Sequence, residues 1–340
     1  MRKSTTALLT LIAAFAGAAT AQADPFPVNV LLTNFNVITM GNFATTSDVN
    51  GPVLIGGNLS NNGAGTLDFL NVPQTCCTTP TPNYAEINVF GSNSGVWSES
   101  TQRAFVGGSN TGSFGSGPVT TGYIFPGFNQ PGAGSNTATF TQDIWTPLVT
   151  VSNNLAGLTA NSSLVGNTFT PGTAVGPTTP AVFNLTLAQL NALSGTVTFG
   201  GCIGAGTCDT VIDVTGTGTF TQGFSFPTAD NIPGLPNVIF NFENATGVEW
   251  GAPSNFDASI LAVDAIGSNN GSSPLVGNLV VSSVLATAPL GNEVHDAPFD
   301  CSDNLCTIEH IPEPGSLPLL GAALLSFAAL ASIAAIRRRG

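Results

Sequence analysis

Val238-Ile239-Phe240-Asn241-Phe242 alternates with a period of two: Val238, Phe240 and Phe242 fall on one face, Ile239 and Asn241 on the other. The pattern is that of a β-strand with apolar residues on both faces. Leu275-Val276-Gly277-Asn278-Leu279-Val280-Val281 repeats it, with Leu275, Gly277, Leu279 and Val281 alternating against Val276, Asn278 and Val280. A half-exposed strand would put polar side chains on its second face. Apolar residues on both predict strands that are covered twice, or wound into a narrow solenoid.

Outward from these strands the chain keeps the same texture of short alternating runs broken by Gly, Asn and Pro. Met40-Gly41-Asn42-Phe43 is followed sixteen residues later by Gly57-Asn58-Leu59, with Val106-Gly107-Gly108 and Gly277-Asn278-Leu279 as echoes without a fixed period. Parallel β-solenoids turn corners at Gly and Asn, which accept φ > 0. One stretch departs from the β pattern. Phe140, Ile144, Leu148, Val151, Leu155 and Leu158 are spaced by 4, 4, 3, 4 and 3, one face of an α-helix. Pro147 inside it predicts a kink, or a new helix with Thr146 as cap and Pro147 in its first turn. A shorter helix is expected from Leu187 to Leu193. The Gly/Pro-rich runs between are loops, none long enough to separate domains, so residues 24–311 read as one body.

The 340 residues carry six Lys+Arg and nineteen Asp+Glu, a net charge of −13. Five of the six bases lie at the ends: Arg2, Lys3, Arg337, Arg338 and Arg339. The body between has eighteen acids and one base, Arg103, so its net charge is −17. Nucleic-acid binding needs Lys and Arg to neutralise phosphates and is excluded. A Walker-type phosphate loop and a Schiff-base lysine are excluded for want of a body lysine. Aromatic and β-branched residues are too plentiful for a disordered chain. What remains is a polar, nearly uncharged Gly/Asn/Thr/Ser body.

The ends read as addresses. Arg2 and Lys3 precede an apolar run from Ala7 to Ala19, and Ala21-Gln22-Ala23 supplies the small-x-small pattern for signal peptidase. Residues 1–23 are therefore expected to be a signal peptide, cleaved between Ala23 and Asp24. At the other end Pro312-Glu313-Pro314 is followed by twenty uncharged residues, 317–336, and then by Arg337-Arg338-Arg339. At ~1.5 Å per residue such a helix spans the ~30 Å hydrocarbon core, with the arginines as a cytoplasmic stop. Six cysteines fit an oxidising compartment. The short-loop pairs Cys202 with Cys208 and Cys301 with Cys306 are the favoured disulfides, whereas the adjacent Cys76 and Cys77 could bond only in a strained geometry. No CxxC spacing suggests zinc, and the two histidines, His295 and His310, lie near the C-terminal end.

Two stretches carry family resemblances. Residues 311–340, with Pro-Glu-Pro, apolar helix and arginine cluster in order, resemble the PEP-CTERM sorting signal of Gram-negative bacteria. The resemblance implies recognition of Pro312, Glu313 and Pro314 by an exosortase in the inner membrane. It further implies removal of the tail near that motif, and delivery of the body to the cell surface or extracellular matrix. The run from Asn36-Val37-Ile38-Thr39-Met40-Gly41-Asn42-Phe43 through Asp48-Val49-Asn50-Gly51-Pro52-Val53-Leu54-Ile55-Gly56-Gly57-Asn58-Leu59 is similar to the opening of the choice-of-anchor A domain. Val238 to Phe242 with Asn244-Ala245-Thr246, Ser259-Ile260-Leu261-Ala262, Gly277-Asn278-Leu279-Val280 and Gly291-Asn292-Glu293-Val294-His295 extend that likeness over residues 30–300. It implies an adhesive, β-helix-like domain with a helix packed alongside, and no catalytic residues. The cysteines and Pro147 depart from the family pattern.

Catalytic constellations are sparse. His295, in Glu293-Val294-His295-Asp296, and His310 read as surface or structural histidines. Asp209, Asp213, Asp257 and Asp264 are the candidates for a glycosidase acid pair, against the ordinary reading of exposed carboxylates. Thr215, Thr217, Thr219 and Thr221 line one side of a strand, as on ice-binding solenoids, although β-propensity alone explains a single row. No Asp-x-Asp-x-Asp-Gly calcium loop occurs. The expected protein is mainly β: a right-handed parallel β-helix body with one long α-helix alongside and a C-terminal transmembrane helix. It is exported, non-enzymatic and free of metals and cofactors, and holds an extracellular polysaccharide or surface ligand. A polysaccharide hydrolase on the same fold is the rival.

Overall fold

Ten short strands, all parallel, make the spine of the body: β1 (Val37–Thr39), β2 (Val53–Ile55), β3 (Ile87–Val89), β4 (Ala104–Val106), β5 (Val119–Thr121), β6 (Ala181–Thr186), β7 (Thr210–Thr215), β8 (Val238–Phe242), β9 (Ser259–Asn269) and β10 (Leu279–Ser283). The computed structural model describes residues 28–61, 69–70, 87–97, 104–115, 119–121, 140–176, 178–227, 237–269, 271–295, 297, 299 and 305. All of these belong to the unit Ala23–Thr307. The expected signal peptide, sorting motif and apolar tail lie outside the described residues, as do Cys76, Cys77, Cys301, Cys306, Arg103 and His310. Among the described residues no helix is long and apolar enough to cross a membrane.

Across the sheet the strands run β5-β4-β3-β2-β1-β10-β9-β8-β7-β6. The chain starts in the middle, winds outward to β5, resumes at β6 on the opposite edge, and winds back until β10 lies beside β1. Each turn also feeds two further parallel stacks. Phe43–Ala44 pairs with Leu59–Ser60 on a second face. On a third, Leu275–Val276, Val294–His295, Val49–Asn50 and Phe69–Leu70 follow one another. The parallel, mainly-β expectation therefore holds.

The register explains why the strands are apolar on both sides. Phe183, Ile212, Phe240, Ile260, Leu279, Val37, Val53, Ile87 and Ala104 stand in one transverse file, one per turn, and all are buried in the core inside the coil. At about 1.5–3 kcal/mol for each large apolar side chain removed from water, such files dominate the stability. The next file, which includes Leu261, Val280, Ile38 and Leu54, points outward and is buried as well. Its cover over β7, β8 and β9 is helix α2 (Thr146–Ala156), whose Leu148, Val151 and Leu155 are buried; a short helix α1 (Val28–Asn34) packs against α2. The strands are covered twice, and wound.

Pro147 stands in the first turn of this helix, as the second of the two expectations had it, but Thr146 is already helical and the cap position falls on Trp145, with no side-chain hydrogen bond. A π-helical segment, Thr141–Trp145, runs directly into α2, and both the backbone N–H and the hydroxyl of Thr146 donate to Thr141 O. The wider turn leads into the position where proline lacks an N–H and would crowd the carbonyl four residues back. Helix α3 (Leu187–Asn191) begins at a capping box, in which Thr186 Oγ1 accepts from the N–H of Gln189 and Gln189 Oε1 accepts from the N–H of Thr186.

Of the corner glycines, Gly277 has the expected positive φ, and the others are needed for a different reason. Gly41, Gly57, Gly91 and Gly108 stack one above the next, each N–H of the last three donating to the carbonyl of the glycine one turn earlier. None of them has positive φ. A Cβ on Gly57 would instead lie 2.5 Å from the carbonyl carbon of Gly41 and 2.7 Å from Asn42 N. Positive φ is used at a different corner, by Gly51 (86°) and Gly277 (148°), which lead into β2 and β10. Gly57→Ala should therefore cost about 1–3 kcal/mol in urea unfolding. Gly291→Ala, where a Cβ meets nothing within 4 Å, should be near neutral; equal effects would contradict the close-approach explanation.

Candidate functional site

The helices cover one face of the coil, and the second face is open. It is built from Gly218–Thr221, Ala245–Trp250, the C-terminal half of β9, the end of β10, Phe43–Ala44 and Leu59–Ser60. Alternation sends Phe220, Val248, Phe43 and Leu59 into the core and leaves Thr219, Thr221, Thr246 and Ile266 exposed. Register aligns the outward positions into rows. Thr219, Gly247, Ile266 and Ser283 form one, and Thr221, Glu249 and Ser268 another. Thr221 Oγ1 donates to Glu249 Oε2 at 3.0 Å, and Asn191 of α3 braces the edge by bonding Thr219 O and Thr221 N.

At the corner beside this face the Gly-Asn punctuation becomes a ladder. Asn42 Oδ1 accepts from Asn58 N at 2.9 Å, Asn58 Oδ1 from Ser92 N at 2.8 Å, and Ser92 Oγ from Ser109 N at 3.1 Å. The echo at Gly277-Asn278 belongs elsewhere, because Asn278 is fully buried. The four threonines are all exposed, but they do not share one strand. The chain bends at Gly216 (φ 123°) and Gly218 (φ 115°), so Thr215 ends β7 and only Thr219 and Thr221 reach the open face. What the face offers a partner is hydroxyls, amides, one isoleucine and a carboxylate, on rigid and regularly spaced strands.

Residues 29–296 match a family described as a putative ice-binding-like adhesive domain. The chain belongs to that family. No curated protein matches it.

In this member of the adhesive family the four candidate acids are not brought together as a pair on the open face. Asp209, Asp213 and Asp257 are buried and Asp264 is exposed on β9. Asp213 faces outward from β7 beneath α2, where Oδ1 accepts from Asn241 Nδ2 at 2.7 Å. Asn241 also donates to Ser152 O at 2.9 Å and accepts from Ser152 Oγ at 2.6 Å, which ties the helix to the sheet. Burial, and then the neighbouring Glu243 carboxyl, push the Asp213 carboxyl up to about 7. Burial alone raises Asp143, in the π segment, to about 6. Glu243 was not among the sequence candidates, since its nearness to Asp213 depends on the register that sets Val214 opposite Phe242.

His295 Nε2 lies 2.5 Å from Glu293 Oε2 on the third face, a local pair as expected of a structural histidine. Among the described residues no group of three or more His, Cys, Asp or Glu side chains could hold a metal. Cys202 and Cys208 form the expected disulfide, Cα atoms 5.5 Å apart, closing the turn after helix α4 (Gly201–Gly204).

The raised acids contribute to the pH response. The folded protein holds a proton on Asp213 between the ordinary value of 3.8 and about 7, where the unfolded chain releases it. Stability from this group is therefore lost as pH rises through that window, by at most about 1.4 kcal/mol per unit. Denaturation midpoints should fall from pH 5 to pH 8, and Asp213→Asn should flatten the slope without removing the part due to Asp143. An unchanged slope in the variant would show that Asp213 ionises normally.

Proposed function

We propose that the chain is an exported surface or matrix protein that adheres through the open second face of its coil, without catalysis. The observation that carries this reading is the face itself: aligned outward rows of Thr, Ser, Ile266 and Glu249 on a rigid coil, with no cationic side chain among its described residues. The adhesive description of the family supports it. Many weak hydrogen bonds from a repeating surface to a repeating polyhydroxyl polymer add by avidity, without needing one deep pocket. We take the body to be of the choice-of-anchor A type, and the tail to be a PEP-CTERM signal of a Gram-negative bacterium. Export would then run through signal peptidase after Ala23, transient insertion of 317–336, and exosortase recognition of Pro312, Glu313 and Pro314.

Two experiments test this reading. Thr221→Lys with Ile266→Lys should lower retention of the protein on extracellular polymer by roughly tenfold, with the thermal midpoint unchanged. Reducing-end release from a glycan panel that a single Asp substitution abolishes would replace adhesion with hydrolysis. For sorting, Glu313→Ala should leave an unprocessed, membrane-held form in the native host, and normal processing of that variant would refute the exosortase route.

A further inference from the structure

A parallel coil ends in a bare strand edge, whose unpaired N–H and C=O groups invite other chains. At β6 that edge is closed by the segment following α2. The N–H groups of Asn161 and Ser162 both donate to Val182 O at 3.1 Å, and Asn161 Oδ1 accepts from Val182 N at 2.8 Å. The chain then makes a hairpin, Ser163–Val165 with Thr168–Thr170, whose second strand pairs in parallel with Thr198–Phe199 across the last turn. Phe169 plugs the mouth of the coil, edge-on to Phe183 at 5.3 Å and stacked on Phe199 at 5.0 Å.

This closure leaves a cleft of about 380 Å³ between the hairpin's first strand and α3, within the size range of small-molecule sites. Leu164 and Leu193 contribute apolar surface to it, and Ser163, Asn184 and Gln189 polar groups. The capping box engages Gln189 Oε1, and Asn184 Nδ2 donates to Leu158 O at 3.5 Å; among the described residues Gln189 Nε2, Ser163 Oγ and Asn184 Oδ1 make no hydrogen bond. None of the described lining residues is charged.

We propose that this cleft binds a neutral saccharide unit of one or two rings. A sugar ring has an apolar C–H face and a rim of hydroxyls, and the cleft supplies both complements: leucine surface, and one hydroxyl with two amides. The charge pattern selects neutral glycans over acidic ones. Uronates, sulfated sugars and phosphates need a cation, the cleft has none, and the body around it carries a net charge of −17. The choice of ligand rests on the adhesive reading above, but the site is separate from the open face, so the two can fail separately.

The test is titration of the full chain in mild detergent with matched neutral and uronic oligosaccharides, followed by calorimetry or ligand-observed NMR. Neutral oligosaccharides should bind and uronic ones should not. Ala192→Trp, which places an indole in the cleft from an exposed position, should weaken binding at least tenfold. The milder Ser163→Ala with Asn184→Ala should weaken it severalfold at an unchanged thermal midpoint, which guards against misfolding of the first variant. Thr221→Lys should leave the titration unaltered. Absence of neutral-sugar binding, a preference for uronates, or binding indifferent to the cleft variants each overturns the proposal. If polymer retention still falls in the Thr221→Lys, Ile266→Lys protein, the adhesive reading survives that failure. If retention is unaffected there while the cleft titrates as expected, the open face is the part that is wrong.

Discussion

The pairing of β1 with β10 is the contact on which the rest of the coil depends. Val37, Ile38 and Thr39 lie opposite Leu279, Val280 and Val281, and the chain crosses the same seam on its other two faces, at Thr45 with Leu290 and at Val49 with Val294. The buried Asn278 fastens it from the outward side, under α1. Its Nδ2 donates to Leu32 O and Phe35 O, both at 2.9 Å, satisfying carbonyls at the C-terminal end of α1, and its Oδ1 accepts from Ser259 Oγ at 3.1 Å. One buried side chain thereby joins the beginning of the body to turns more than two hundred residues later. Without the seam, β1 and β10 would each be a bare parallel edge, and the core files would stop at open ends. Pairing of such high sequence separation carries a large loop-closure cost before it is rewarded, which places this topology among slow-folding ones.

Winding also divides the surface into regions with different roles. The outer face of the large sheet is covered over β7, β8 and β9 by α2, which holds there the buried polar cluster of Asp213, Asn241 and Ser152. Asp143 and Asp213, whose carboxyls burial pushes up to about 6 and about 7, belong to this covered side. The second face stays open because nothing in the coil needs to cover it: its inward residues are already buried, and its outward ones are mostly hydroxyl-bearing. A change of pH through that range is therefore felt where the helix meets the sheet.

Much of this was legible locally. The period-two runs at Phe240 and Leu279, the helical stripe from Phe140 to Leu155 and the Cys202–Cys208 loop each signal themselves within a few residues. What escaped depends on register between distant turns. No local pattern places β1 beside β10, or Glu243 beside Asp213. The threonine row was misread because Gly216 and Gly218 keep the period of two while their backbone leaves the strand. The hairpin over the coil's end did have a signal, the two-residue Gly166-Asn167 turn with φ 58° at Gly166. It was hidden inside a Thr- and Asn-rich stretch with little apolar alternation.

The scarcity of charge, finally, has a structural cause as well as a functional one. Parallel in-register turns bring equivalent positions to within ~4.7–4.9 Å of each other, so a charged residue repeated at one position would face its own kind along the whole stack. Neutral Asn and Ser at the corner do the opposite, each accepting a hydrogen bond from the next turn's backbone. The acids that remain fit this constraint. Asp213 sits in register between Asn184 and Asn241, and Glu249 between Thr221 and Ser268. A coil that must stack on itself is pushed toward hydroxyls and amides, and the surface best suited to neutral polyhydroxyl partners follows from the way the chain is wound.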